Sequence, residues 1–188
     1  MKISNCFCLD DFRGVAKLSI PKFVFDFIDG GAGNEEAVKS NAESFKKFKL
    51  VPVIRSNSHA MIMDCSVLGL NYSAPFGVAP LGLCGLVNRN AEIILAKSAA
   101  KYNVPYIVSA ASNTSISDVA KASGTPPWFQ LYIPQNSELV DKLLEKAESV
   151  GCPVLVITVD TAIAGRRLRD LRNKLQLPFR PSLSNILE

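Results

Sequence analysis

Four strand-like runs begin at Phe76, Tyr106, Trp128 and Val154, and each leads into a loop of polar, Gly or Pro residues. The first three loops are followed by stretches of helical periodicity, over about 91–102, 116–122 and 137–150, and the fourth is an arginine-rich segment. This alternation constrains the chain more than any single motif. A strand followed by a covering helix returns the chain parallel to itself, so repeated βα units predict a parallel sheet with helices packed on it. The expected strands are 76–79, 106–109, 128–132 and 154–159. An eight-stranded barrel needs about 250 residues, and 188 are present. The residues therefore read either as half a barrel or as a small open α/β sheet. Neither GxGxxG nor GxxxxGK[ST] occurs, which weakens the common open-sheet nucleotide folds.

Two of the runs carry chemistry at their ends. Trp128-Phe129-Gln130-Leu131-Tyr132 and Val154-Leu155-Val156-Ile157-Thr158-Val159-Asp160-Thr161 start apolar and finish polar. The apolar part suits a strand covered on both faces. The polar part falls at the C-terminal rim, where α/β barrels place their sites. Gly165-Arg166-Arg167-Leu168-Arg169-Asp170 follows on the same rim. Fixed positive charge beside polar strand ends suits an anionic substrate next to a cofactor.

Composition removes several function classes. The net charge of +4 is mild, and Lys46-Lys47 and Arg166-Arg167 are only pairs, so no nucleic-acid-binding surface is expected. The five cysteines, Cys6, Cys8, Cys65, Cys84 and Cys152, are odd in number and lack CxxC spacing. Neither a disulfide framework nor a metal site is expected, and a reducing cytoplasmic compartment fits. The N-terminus has no apolar signal core, and no run approaches the ~18 apolar residues of a membrane span.

Residues 9–48 read as helical. Phe23, Val24, Phe27 and Ile28 share one face of a helix opened by Pro21 and stopped at Gly30-Gly31, a stripe that serves chiefly for packing. Asn34-Glu35-Glu36 is expected to cap a second helix running to Phe45. Met61-Ile62-Met63 reads as strand-like, with a turn near Gly69. His59 is the only histidine; it lies in an irregular stretch and reads as a surface residue rather than a base. Asp160 reads as a group that fixes the rim by hydrogen bonds, and Cys84 as a small apolar filler.

Taken together, Pro21–Phe27 with Gly30-Gly31-Ala32, Ala79–Gly85, Ser109–Ser112, Trp128–Tyr132, and Thr158–Thr161 with Gly165–Asn173 resemble the FMN-dependent α-hydroxy-acid oxidising family. That family includes glycolate oxidases, L-lactate dehydrogenases and mandelate dehydrogenases. The resemblance implies a fold of the α/β class: the first half of a (β/α)8 TIM barrel preceded by N-terminal helices. Residues 1–73 would hold the helices and an excursion, and 74–188 the first four βα units. It implies FMN as cofactor and a small L-2-hydroxy acid as substrate. Backbone at Pro80, Leu81 and Gly82 would run along the flavin ring. Ser109, Gln130 and Thr158 would hydrogen-bond its polar edge, and Tyr132 and Arg167 would contact substrate. An Arg fork suits a carboxylate because it binds two oxygens at once.

Three positions depart from the family pattern. Phe27 stands on the substrate wall where Tyr is usual, and so lacks the hydroxyl that would reach the carboxylate. Leu81 replaces a common Thr, leaving only its backbone for the flavin. Ala111 is small where some glycolate oxidases carry Trp, which implies a substrate bulkier than glycolate. The resemblance places the catalytic His, a flavin-activating Lys and the phosphate-binding loops in the other half of the family's length. The chain alone is accordingly expected to lack independent catalysis, as a truncated product or as one subunit completed by a C-terminal chain. The two open sheet edges of half a barrel predict self-association into a homo-oligomer, and peripheral membrane contact is a further expectation from the resemblance.

Overall fold

A computed structural model of the chain describes residues 3–52, 62–133, 136–160 and 163–175. In chain order the elements are helices α1 (Leu9–Ser19), α2 (Lys22–Asp29) and α3 (Glu36–Ser44), then strands β1 (Cys65–Val67) and β2 (Leu70–Tyr72). There follow α4 (Ala91–Lys101), β3 (Ile107–Ser109), α5 (Ile116–Ser123), β4 (Trp128–Tyr132), α6 (Ser137–Val150), β5 (Leu155–Thr158) and α7 (Leu168–Arg172). They form two compact units, one from residues 57–162 and the other from residues 1–56 and 163–188.

The 57–162 unit is built on the parallel sheet β3-β4-β5, with β4 in the centre. Ile107 aligns with Trp128 and Ser109 with Gln130, while Gln130 aligns with Val156 and Tyr132 with Thr158. Side chains alternate across a strand, so aligned residues share a face. Val108, Phe129 and Leu131 therefore point to the helix side, where they pack with Ala96 and Ala99 of α4, Ile116 and Val119 of α5, and Ala147 of α6. Burying a residue such as Leu131 or Val119 contributes about 1.5–3 kcal/mol. Ser109, Gln130 and Thr158 fall on the opposite face.

The helices begin and end where local chemistry dictates. The Ser115 hydroxyl accepts from Asp118 N to open α5, and Asn136 Oδ1 accepts from Leu139 N to open α6. Both helices stop at a glycine in the left-handed region, Gly124 at φ 71° and Gly151 at φ 79°, a conformation that a Cβ would penalise.

The expected strand at 76–79 is reduced to one parallel bridge, Val78 with Tyr106. Val78 N donates to Pro105 O at 2.8 Å and Ile107 N to Val78 O at 3.1 Å. Pro105 has no N–H to extend the ladder. The strand-like reading of Met61-Ile62-Met63 fails for Ile62 and Met63, which lie outside any strand, while Met61 lies outside the described residues. The strand instead starts at Cys65 and forms an antiparallel hairpin with β2 through Leu68-Gly69, both at positive φ.

In the other unit α2 follows Pro21 as expected. Its buried residues are Val24, Phe25 and Asp26, whereas Ile28 is 56% exposed. The buried face is displaced toward Phe25 and Asp26, and the Asp26 carboxylate accepts from Lys22 Nζ and Asn173 Nδ2 at 2.5 and 2.8 Å. Asn34 does not cap α3. Glu35 precedes that helix in a left-handed conformation, and its carboxylate binds Arg169. Among the described residues no helix is long and apolar enough to cross a membrane.

Candidate functional site

Three strands each place one polar side chain on the sheet face away from the helices. Ser109 Oγ donates to Gln130 Oε1 at 2.8 Å, and Gln130 Nε2 donates to Thr158 Oγ1 at 2.8 Å. Ser109 Oγ also accepts from Ala111 N at 3.1 Å. Gln130 is 1% exposed and Ser109 is 4% exposed, whereas Thr158 is half-buried. Both ends of the amide are thus engaged, and its orientation is set by its neighbours. Capacity is left over: the Thr158 O–H, the second Nε2 N–H and a lone pair on Oε1 have no partner in this chain of bonds. Tyr132 ends β4, aligned with Thr158 and 43% exposed.

The 80–85 segment lies against the same place. Leu83 N donates to Ala111 O at 3.0 Å. A methyl added to Gly82 would meet Ala111 Cβ at 3.1 Å and Ser109 Oγ at 4.0 Å. Leu81 is half exposed and Pro80 half-buried. The structure therefore groups Pro80, Leu81, Gly82, Ser109, Gln130, Thr158 and Tyr132 on one rim of the 57–162 unit.

Phe27 and Arg167 meet in the other unit. The Arg167 guanidinium lies over the Phe27 ring, 5.4 Å from its centroid, a cation–π arrangement. Its Nη2 donates to Phe27 O, and its Nε donates to Asp170 Oδ2 at 2.6 Å. The two Nη1 hydrogens and the second on Nη2 are uncommitted in these contacts, which leaves a fork for a carboxylate.

Arg169, three residues before Arg172, is the hub of an ion-pair cluster. It bonds Asp29 Oδ2 at 2.9 Å and Glu35 Oε2 at 2.5 Å, and these bonds raise its pKa further above the usual arginine range. Arg13 bonds the other Asp29 oxygen at 2.5 Å. The sequence reading singled out Arg167 and missed this cluster, because its members are far apart along the chain. It also missed Glu92, fully buried in the first turn of α4; a first-turn glutamate ordinarily reads as a solvated complement to the helix dipole. Asp160 is exposed, and His59 lies outside the described residues. Among the described residues no cluster of three or more His, Cys, Asp or Glu side chains forms a metal site.

A family model described as FMN-dependent dehydrogenase matches residues 16–188. The chain belongs to the FMN-dependent dehydrogenase family. It is 34% identical over 184 residues to (S)-mandelate dehydrogenase of Pseudomonas putida, covering 98% of this chain and 47% of that one. It is also 34% identical over 171 residues to L-lactate dehydrogenase of Ectopseudomonas mendocina (strain ymp), covering 91% and 45%. The crystal structure of the monotopic membrane protein (S)-mandelate dehydrogenase superposes with a TM-score of 0.91 at 34% identity, covering 97% of this chain and 49% of that one. The chain thus spans about half the length of these relatives and has the fold of part of their barrel, fitting the N-terminal half.

Proposed function

We propose that this chain supplies the flavin-facing edge and part of the substrate wall of an enzyme that oxidises an L-2-hydroxy acid to the 2-oxo acid. The single observation that carries this is the Ser109–Gln130–Thr158 chain of bonds crossing three adjacent strands beside Gly82. Its spare groups, two donors and one acceptor, match a planar ring edge that alternates C=O and N–H. Leu81 and Gly82 are exposed, and at Gly82 the backbone can lie along such a ring without a side chain in the way. The cofactor, when bound, supplies the two-electron redox chemistry.

The remaining work falls to protein side chains. Arg167, held by Asp170 and Phe27, offers its free fork to the substrate carboxylate. Tyr132 presents its hydroxyl at the rim, where it can bond the substrate hydroxyl. Phe27 adds apolar wall and holds the guanidinium, and contributes no hydroxyl. Ala111 leaves room for a side chain larger than that of glycolate, in keeping with relatives named for mandelate and lactate.

The domain reading belongs to this proposal: 1–73 as helices and excursion, 74–188 as the first four βα units. So does the reading that these 188 residues alone are catalytically silent, with the base and phosphate-binding loops supplied by further sequence on the same or a second polypeptide. Cytoplasmic placement with peripheral membrane contact, or self-association, completes it.

The test is an FMN titration of the purified 188-residue chain, followed by flavin fluorescence and absorbance, with Thr158→Val and Gln130→Ala as controls. Saturable binding that both substitutions weaken is the expected result. An absence of saturable binding by well-folded chain would sink the proposal.

A further inference from the structure

We infer that Glu92 is a positioning residue for the flavin-facing loops, acting through the loop after β3; the inference rests on the function proposed above. Glu92 is 0% exposed. Among the described residues no Lys or Arg forms a salt bridge with it. Burying a carboxylate is costly unless its oxygens are hydrogen-bonded, and here three donors serve them. Oε1 accepts from Asn113 N at 3.1 Å and Oε2 from Thr114 Oγ1 at 3.2 Å, while the single Ser112 hydroxyl hydrogen is shared between Oε1 at 3.2 Å and Thr114 O at 2.9 Å. All three donors lie in the loop that leaves β3. Ser112 Oγ also accepts from Thr114 N at 3.1 Å, closing that loop on itself.

The 80–85 segment hangs from the same loop. Asn113, held to Glu92 by its N–H, accepts from Gly85 N through Oδ1 at 3.0 Å. Ala111 O accepts from Leu83 N at 3.0 Å. Leu83 sits at φ 58°, a left-handed conformation that a non-glycine residue keeps only when its surroundings hold it there. Gly82, one residue earlier, packs on Ala111, and Ala111 N is fastened to Ser109 Oγ. A buried carboxylate on α4 therefore sets the loop that carries Ala111 and Asn113, and that loop, through Leu83 N and Gly85 N, holds the segment containing Leu81 and Gly82.

The donor inventory separates bracing from charge. In Glu92→Gln, Oε1 can still accept from Asn113 N and Ser112 Oγ, while Nε2 donates to the Thr114 hydroxyl oxygen. All three tethers survive without the negative charge. In Glu92→Ala none does.

The experiment compares the parent chain with Glu92→Gln, Glu92→Ala and the core variant Val119→Ala. It uses FMN titration, the absorption band shape of bound flavin, and amide hydrogen exchange without FMN. Glu92→Ala is expected to weaken FMN binding about tenfold, the effect of losing a few buried hydrogen bonds, and to alter the flavin band. Exchange should rise at Leu83, Gly85 and Asn113 while Ala110, in the β3–β4 ladder, stays protected. Glu92→Gln is expected to bind within about threefold of the parent. Val119→Ala should lower stability without altering the band. Glu92→Ala binding FMN like the parent, or losing protection equally across the ladder, would overturn the inference. A folded parent that binds no FMN would refute the proposed function instead, and the exchange at Leu83 and Gly85 would then decide the brace alone.

Discussion

Replacing Gln130 by Leu should destabilise the 57–162 unit. Gln130 is 1% exposed and holds two hydrogen bonds of 2.8 Å. Leucine fills a similar volume but accepts and donates nothing. The Ser109 hydroxyl, 4% exposed, would be left without its acceptor, at about 1–3 kcal/mol for an unmet buried donor. Thr158, half-buried and reachable by water, would lose about 0.5–1.5 kcal/mol. The added apolar burial of Leu offsets roughly 1 kcal/mol. The net expectation is a loss of about 1–3 kcal/mol, or roughly 5–15 °C in midpoint for a unit of this size. The assay is urea and thermal unfolding at neutral pH, in a cycle with Thr158→Val. Because the two residues share a bond, Thr158→Val should cost less in the Gln130→Leu background than in the parent. Gln130→Leu as stable as the parent, or effects that simply add, would refute the reasoning.

Two further outcomes are expected. Asp26 and Asp29 both titrate below the ordinary carboxylate value of 3.8. Burial pushes Asp26 up, but hydrogen bonds from Asn173 and Lys22 outweigh it; Asp29 is held down first by its hydrogen bond from Arg13 and, against burial, by Arg169. Folded values below the unfolded ones mean that the stability these groups contribute is present above about pH 4 and lost as pH falls through the folded values. Thermal scans from about pH 3 to 7 should show that acid limb, and Arg169→Ala should flatten it; an unchanged limb in Arg169→Ala would count against the cluster. Gly77→Ala would bring a methyl to 2.5 Å from Pro105 Cγ and 2.6 Å from Pro105 O, a backbone clash costing about 1–3 kcal/mol, so its urea midpoint should fall, and an unshifted midpoint would contradict the close approach.

What the sequence disclosed followed from how local the signal was. The βα alternation, α6 over Ser137–Val150, and β4 over Trp128–Tyr132 were legible because their periodicity and caps lie within the element itself. The strand near Val78 was over-read, since hydrophobic pattern does not register that the neighbouring residue is a proline. Glu92 and the Arg169 cluster were not legible. Their partners lie some 20 and up to 140 positions away, and a charged residue at a helix start or in a loop looks solvated until the fold covers it. Gln130 fell between these cases: the polar residue stood out in an apolar strand, but its two partners became identifiable only once the strands were aligned.

The polar chain across β3, β4 and β5 also bears on how the sheet finds its alignment. Sliding β5 by one residue against β4 would turn Thr158 toward the helices and bring Ile157 or Val159 to the end of Gln130, since successive side chains point to opposite faces. The Nε2 end of the glutamine amide would then be dehydrated without its acceptor, a penalty that purely apolar strands of Val, Leu and Ile do not impose on their own slipped states. Gln130 is thus an error check on assembly. The same three residues that would meet a ligand make misaligned sheets unfavourable before any ligand arrives.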